Sequence, residues 1–289
     1  MNQLNHFIEL TRLKKPIGYM LLFWPCLWGL TIAYDFSINI QIFIKYSLLF
    51  LFGSILMRSA GCIINDIVDK DFDKKVERTK NRPIASGKIS VKKGLFYTLL
   101  LCALALIVLM QFNFFTIILA LCSMPLAFTY PLMKRFTHWP QLFLGITFNY
   151  GLILGWTATN AEISIVPLIF YFGAIFWTLG YDTIYGFQDI KDDEIIGVKS
   201  TSIKFKKNPK IFISLCYLIF TLCLLFTGYH MNFSSIYFIG ISIVFLHLFV
   251  FQIKFLKTDS TTSCLSKFKS NNFLGILIFV SLLIGKIIL

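Results

Sequence analysis

The fold of this chain is decided in residues 95–130, which read LFYTLLLCALALIVLMQFNFFTIILALCSMPLAFTY without one charged side chain. A helix rises about 1.5 Å per residue, so a single helix over this run would be about 54 Å long. The hydrocarbon core of a bilayer is only about 30 Å thick. We therefore predict two membrane-spanning helices here, divided at the polar residues Gln111 and Asn113.

The composition of the whole chain agrees with this interpretation. Of its 289 residues, 57% are hydrophobic and 14% are charged, and the mean hydropathy is +0.74. An average soluble domain is about 45–50% apolar and about 25% charged. A soluble core cannot hide so much apolar surface, whereas a bilayer can. The composition predicts an integral membrane protein in contact with lipid.

Apolar runs of spanning length recur along the chain, which predicts an all-α membrane protein with about nine helices. The amphipathic residues 1–16 are expected to form an interfacial lead-in, and residues 1–289 a single domain. The predicted spans are 17–34, 42–64, 95–110, 114–131, 140–158, 165–187, 211–228, 234–252 and 273–289.

The positions of the basic residues predict how the helices are oriented. With nine spans, 25 of the 27 Lys and Arg residues lie on the side of the membrane that holds the N-terminus. Basic residues concentrate on the cytoplasmic side, so we expect the N-terminus and the long loops there. The net charge of +13 then follows from topology and requires no nucleic-acid partner. The membrane is expected to be a bacterial inner membrane, or alternatively a mitochondrial inner membrane.

An acidic cluster, residues 65–73, follows the second predicted span and reads NDIVDKDFD. Asn65, Asp69 and Asp73 are four residues apart and share one helix face. Like charges at this spacing repel each other, and a divalent cation would relieve the repulsion. Oxygen ligands with no neighbouring His or Cys favour Mg²⁺. The alternative is a solvated polar loop, but acids that continue a membrane helix are costly and usually mark a site.

A second acidic cluster, residues 182–194, follows the sixth predicted span. Asp189 and Asp193 repeat the four-residue spacing, and Asp182 lies two turns earlier. The two clusters are four spans apart, which predicts two parallel four-helix halves plus one further helix. We expect the catalytic loops to be residues 65–94 and 182–209.

Basic residues surround the first cluster and predict an anion site. Arg78, Lys80 and Arg82 lie in a loop closed by Pro83, and Arg58 lies two turns before Asn65. Guanidinium and ammonium groups beside metal-binding acids are typical of a diphosphate site. A third loop adds Lys134 and Arg135, directly after Tyr130 and Pro131.

At these motifs the sequence resembles the UbiA-type membrane prenyltransferases. The matching elements are N-D-x-x-D-x-x-x-D from residue 65, R-T-x-x-R-P from residue 78, and Y-D-T-x-Y with D-x-x-D-D from residue 181. The segments GCIIND, YPLMKR and IGVKST are most similar to the subgroup that prenylates 4-hydroxybenzoate. One departure is Lys14, where the family commonly has an acid two residues after the arginine.

The resemblance implies a Mg²⁺-dependent transfer of a polyprenyl group from its diphosphate to 4-hydroxybenzoate in ubiquinone biosynthesis. Asn65, Asp69 and Asp73 would hold one metal ion, and Asp189 and Asp193 the other. Asp182 or Asp189 would activate the phenol or accept the ring proton. The predicted substrate-binding residues are Arg58, Arg78, Lys80, Arg82, Tyr130, Lys134 and Arg135, of which Arg135 is the candidate for the substrate carboxylate.

Other functions remain open at this point. Haem, homogentisate or naphthoate could replace 4-hydroxybenzoate as the acceptor. A magnesium or anion transporter is a candidate of a different class, although its acids should line a pore within the spans. A phosphatidyl-alcohol phosphotransferase is disfavoured because its D-G-x-x-A-R pattern is absent from the sequence.

Overall fold

The computed structural model describes residues 3–288, and this range contains helices and no strand. Residues 1 and 2, in the predicted lead-in, and residue 289, in the ninth predicted span, lie outside the described residues. A 3₁₀ turn at Tyr130–Leu132 and a π-helix at His247–Lys254 interrupt the α-helices. In chain order the helices are α1 (Gln3–Thr11), α2 (Ile17–Ala33), α3 (Ile40–Val68), α4 (Lys70–Asp73), α5 (Val91–Leu109), α6 (Phe114–Thr129), α7 (Met133–Phe136), α8 (Pro140–Asn149), α9 (Gly151–Asn160), α10 (Ile165–Gly186), α11 (Ile190–Ile196), α12 (Thr201–Lys204), α13 (Pro209–His230), α14 (Ser235–Leu246) and α15 (Thr261–Ile287).

Nine apolar helical segments correspond to the nine predicted spans. In the part of the chain that is described, eight are long and apolar enough to cross a membrane, and α2 is a shorter apolar helix of 17 residues. Helices α6 and α7 together form one of the eight, as do α8 and α9, and α14 with the π-helix. The predicted fold class, an all-α integral membrane protein, is confirmed.

The predicted division of residues 95–130 is confirmed, and Asn113 explains it. Helix α5 ends at Leu109, and α6 begins at Phe114. The Asn113 side chain accepts a hydrogen bond from the Thr116 amide at 2.9 Å, which caps α6. Its own amide group donates to the Thr157 carbonyl at 2.7 Å, near the end of α9.

The buried core lies where α2 crosses α9 and α10. A Cβ atom on Gly29 would lie 2.0 Å from the Leu152 carbonyl oxygen, and one on Gly155 would lie 2.1 Å from the Cys26 carbonyl oxygen. The two backbones approach this closely because both contact points are glycines. Trp28 is fully buried beside this crossing.

Each acidic cluster lies at a corner where a long helix ends. Helix α3 ends at Val68, Asp69 has φ −93° and ψ 6°, and α4 then begins. Asp189 has φ −113° and ψ 8°, and α11 follows it. Both clusters were predicted to continue a membrane helix, and in the structure each continues as a separate short helix after a break. The four-residue spacing still aligns the acids, because the Asp73 amide donates to the Asp69 carbonyl at 2.8 Å.

Candidate active site

A polar cavity of about 260 Å³ lies between the two acidic clusters. Ten of the thirteen predicted site residues line it, although they come from separate helices and loops. They are Asn65, Asp69, Asp73, Arg78, Arg82, Tyr130, Lys134, Asp182, Asp189 and Asp193. The structure thus brings both clusters and three of the six predicted basic residues to one place.

In the first cluster, Asp66, Asp69 and Asp73 are buried and paired with basic side chains. The Lys134 ammonium donates to Asp69 Oδ2 at 2.5 Å, and Arg82 donates to both Asp73 oxygens at 2.9 and 3.0 Å. Asp69 is 1% exposed, and its buried Oδ1 has no hydrogen-bond partner in the described part of the chain. Burial raises the pKa of Asp69 despite the Lys134 charge.

An arginine joins the second cluster to the loop that follows the first cluster. The Arg78 guanidinium donates to both oxygens of Asp189 and, at 3.4 Å, to the Tyr185 hydroxyl. This bidentate pair connects the loop after α4 with the corner before α11. Burial, together with the neighbouring Asp189 carboxylate, raises the pKa of Asp193 to about 6.

A second, mostly apolar cavity of about 220 Å³ adjoins the polar one, and Tyr130 lines both. Arg58 is a cation in its wall, and the guanidinium carbon lies 5.2 Å from the centre of the Phe148 ring. Within residues 3–288, Arg58 has no carboxylate in salt-bridge contact. A guanidinium without an acidic partner in an apolar wall is suited to bind an anionic group of a ligand.

Two of the predicted substrate-binding residues do not line either cavity. The exposed Arg135 donates to the Val68 carbonyl at 2.6 Å and lies over the Phe72 ring, so it caps the end of α3. Lys80 points to the exposed Glu77, with 2.6 Å between its ammonium nitrogen and the carboxylate.

Sequence reasoning missed two residues near the site, Asp66 and Lys199. Asp66, directly after Asn65, is 2% exposed and accepts from both Arg12 and Arg82. Lys199 lines the polar cavity, and its backbone amide donates to the Lys134 carbonyl at 3.0 Å. Both had a usable signal, because Asp66 lies inside the first cluster and Lys199 lies in the segment IGVKST that resembles the family.

The described residues contain no group of three or more His, Cys, Asp or Glu side chains that could hold a metal ion by themselves. The predicted magnesium sites do not need such a group. Mg²⁺ is usually held by one or two carboxylates together with waters and substrate phosphates. The unpartnered Asp69 oxygen and the oxygen-rich wall fit a hard cation.

The fold and the cavities define a helical membrane protein whose polar site adjoins an apolar cavity. A model of the UbiA prenyltransferase family matches residues 22–282. The chain therefore belongs to the UbiA prenyltransferase family, and it is an enzyme of that class, as its motifs indicated. Family membership favours the enzyme over the transporter alternative.

Curated relatives match nearly the whole chain. It is 40% identical over 285 residues to 4-hydroxybenzoate polyprenyltransferase, mitochondrial, of Drosophila pseudoobscura pseudoobscura, which covers 98% of this chain and 70% of the relative. The enzyme of the same name from Rattus norvegicus is 42% identical, and the match covers 98% of this chain and 75% of the relative. The one from Arabidopsis thaliana is 41% identical, and the match covers 97% of this chain and 68% of the relative. These relatives are mitochondrial and lend no support to the expected bacterial inner membrane.

Solved structures share the fold. A UbiA homolog from Aeropyrum pernix K1 superposes with a TM-score of 0.73 at 20% identity, over 94% of this chain and 97% of that one. A UbiA homolog from Archaeoglobus fulgidus, bound to GPP and Mg²⁺, superposes with a TM-score of 0.69 at 17% identity. The match covers 96% of this chain and 99% of that one.

Proposed function

We propose that this protein transfers a polyprenyl group from polyprenyl diphosphate to the ring carbon ortho to the hydroxyl of 4-hydroxybenzoate, with Mg²⁺, in ubiquinone biosynthesis. The observation that carries the proposal is the single polar cavity that collects both acidic clusters and the basic loop. The names of the curated relatives support the same acceptor.

Five residues would hold two magnesium ions. Asn65, Asp69 and Asp73 supply oxygens on one side of the cavity, and Asp189 and Asp193 supply them on the other. The buried, unpartnered Oδ1 of Asp69 supports a cation at the first position. When bound, magnesium stabilises the negative charge that develops on the diphosphate as it leaves.

The basic side chains would bind the diphosphate. Arg78, Arg82 and Lys134 all line the cavity within reach of the acids. As the allylic C–O bond breaks, charge accumulates on the leaving oxygen, and pre-positioned cations stabilise that charge more than they stabilise the bound substrate. Lys80 does not line the cavity and pairs with Glu77, so we assign it no contact with the diphosphate.

The apolar cavity would receive the acceptor ring and the reactive end of the prenyl chain. Its walls exclude water, which protects an allylic carbocation until the ring carbon attacks it. We assign the carboxylate of 4-hydroxybenzoate to Arg58 in preference to Arg135, because Arg58 lines this cavity and Arg135 is occupied by the end of α3. Asp182 or Asp189 would accept the ring proton.

The protein would work in a membrane, with the polar cavity on the cytoplasmic or equivalent side, as the distribution of Lys and Arg predicts. The relatives' names support a mitochondrial location, and we propose the inner membrane there. The single-domain organisation over residues 1–289 is part of this proposal.

The test is a transfer assay with the purified protein. We expect geranyl diphosphate, Mg²⁺ and 4-hydroxybenzoate to yield 3-geranyl-4-hydroxybenzoate and inorganic diphosphate. Product with another aromatic acceptor, but none with 4-hydroxybenzoate, would refute the acceptor assignment. No product with any acceptor would refute prenyl transfer itself.

A further inference from the structure

Arg12 connects the N-terminal helix α1 to the end of α3, at the first acidic cluster. It follows α1 and has φ 56°, a left-handed backbone conformation that costs free energy for a residue other than glycine. Its guanidinium donates to Asp66 Oδ1 at 2.5 Å, near the end of α3. The side chain is 22% exposed and the Asp66 side chain 2% exposed, so the pair is largely withdrawn from solvent.

Asp66 also holds an arginine of the polar cavity. The same oxygen, Oδ1, accepts from Arg82 Nη1 at 3.2 Å, and Arg82 Nη1 donates to Asp73 as well. Arg12, Asp66, Arg82 and Asp73 therefore form a continuous chain of alternating charges. Arg82 lines the cavity, whereas Arg12 and Asp66 do not.

The charges of this chain suggest what Arg12 does. Without Arg12, the buried carboxylates of Asp66 and Asp73 would share one cation, Arg82. The three side chains would then carry a net charge of −1. Asp66 would then draw Arg82 away from the cavity, and the local field would disfavour an anion. With Arg12 present, the four side chains are neutral overall.

We propose that Arg12 is a positioning residue for the diphosphate site. By neutralising Asp66, it leaves the charge of the Arg82 guanidinium directed at the substrate. This inference rests on the proposed function, because it takes the polar cavity to be the diphosphate site.

Helix α1 has other attachments, so the role of Arg12 can be tested separately from folding. Leu10 is fully buried, Phe7 packs edge-on against Tyr97 with 5.0 Å between ring centres, and Lys93 donates to Gln3 at 2.9 Å. These contacts do not involve Arg12, and we expect them to hold α1 in place when its charge is removed.

The experiment compares three variants: Arg12→Gln, Arg12→Lys, and Arg12→Gln combined with Asp66→Asn. For each, KM for geranyl diphosphate, KM for 4-hydroxybenzoate, kcat and the inhibition constant of inorganic diphosphate are measured. We expect Arg12→Gln to raise KM for geranyl diphosphate and the inhibition constant on the order of tenfold, with kcat and the acceptor KM changed less than about twofold. Arg12→Lys keeps the charge and should stay close to wild type.

The double variant distinguishes charge from packing. Removing the acid together with its partner restores neutrality, so we expect KM for geranyl diphosphate to return to within about threefold of wild type. An unchanged KM in Arg12→Gln, or a double variant as impaired as the single one, would overturn the inference. If Arg12→Gln fails to fold, the double variant must fold and bind geranyl diphosphate normally, or the inference is wrong. A wild-type protein that does not use geranyl diphosphate would instead refute the proposed function.

Discussion

Replacing Asp69 with Asn removes one negative charge from the centre of the polar cavity and barely changes the size of the side chain. Asp69 is 1% exposed, accepts from Lys134 at 2.5 Å, and has a second oxygen without a partner. If that oxygen binds magnesium, replacing the carboxylate with a neutral amide weakens the metal's stabilisation of the leaving diphosphate, which is worth several kcal/mol. At about 1.4 kcal/mol per factor of ten, a loss of about 4 kcal/mol lowers kcat/KM about 1,000-fold.

The matched control is Asp71→Asn, two residues away in α4. Asp71 carries the same charge but is 88% exposed, and its nearest basic partner, Lys74, is 3.6 Å away. We expect Asp71→Asn to retain transfer within about twofold, because exposed ion pairs contribute little. The assay is formation of 3-geranyl-4-hydroxybenzoate, with thermal unfolding in detergent to verify folding. An Asp69→Asn protein as active as Asp71→Asn would refute the metal assignment at this corner.

Three further outcomes are expected. Arg58→Leu should raise KM for 4-hydroxybenzoate at least about tenfold, whereas Arg135→Leu should leave that KM unchanged. The measurement is a titration of the acceptor, and equal effects of the two variants would contradict the preference for Arg58. Gly155→Ala should lower the free energy of unfolding by about 1–3 kcal/mol, because the added Cβ would meet the Cys26 carbonyl. Gly61→Ala is the control and should leave the free energy of unfolding unchanged, because the space around Gly61 is open. Equal melting temperatures of the two variants would contradict this prediction. Chelation with EDTA should abolish transfer and added Mg²⁺ restore it, so activity that persists in EDTA would exclude a required metal.

The membrane fold could be predicted from local properties of the sequence. Hydropathy reports whether a segment can enter the bilayer, and the limit set by bilayer thickness divides residues 95–130 into two helices. The polar residues at 111–113 identified the break, and Asn113 does cap α6. The two acidic clusters were also visible, because the four-residue spacing is a property of any helix.

The partners of those acids could not be predicted. Lys134 pairs with Asp69 across 65 positions, and Arg78 pairs with Asp189 across 111 positions. Such contacts depend on how helices pack, which close approaches such as those at Gly29 determine.

The sequence by itself determined a helical membrane protein, its two acidic clusters and its resemblance to a prenyltransferase family. Only the tertiary structure decided which cations line the cavities. Arg58 and Arg135 were both predicted to bind substrate, yet one lines a cavity and the other caps a helix. The physical reason is that hydropathy and helical periodicity act within one segment, whereas the surroundings of a side chain are created by the segments packed against it.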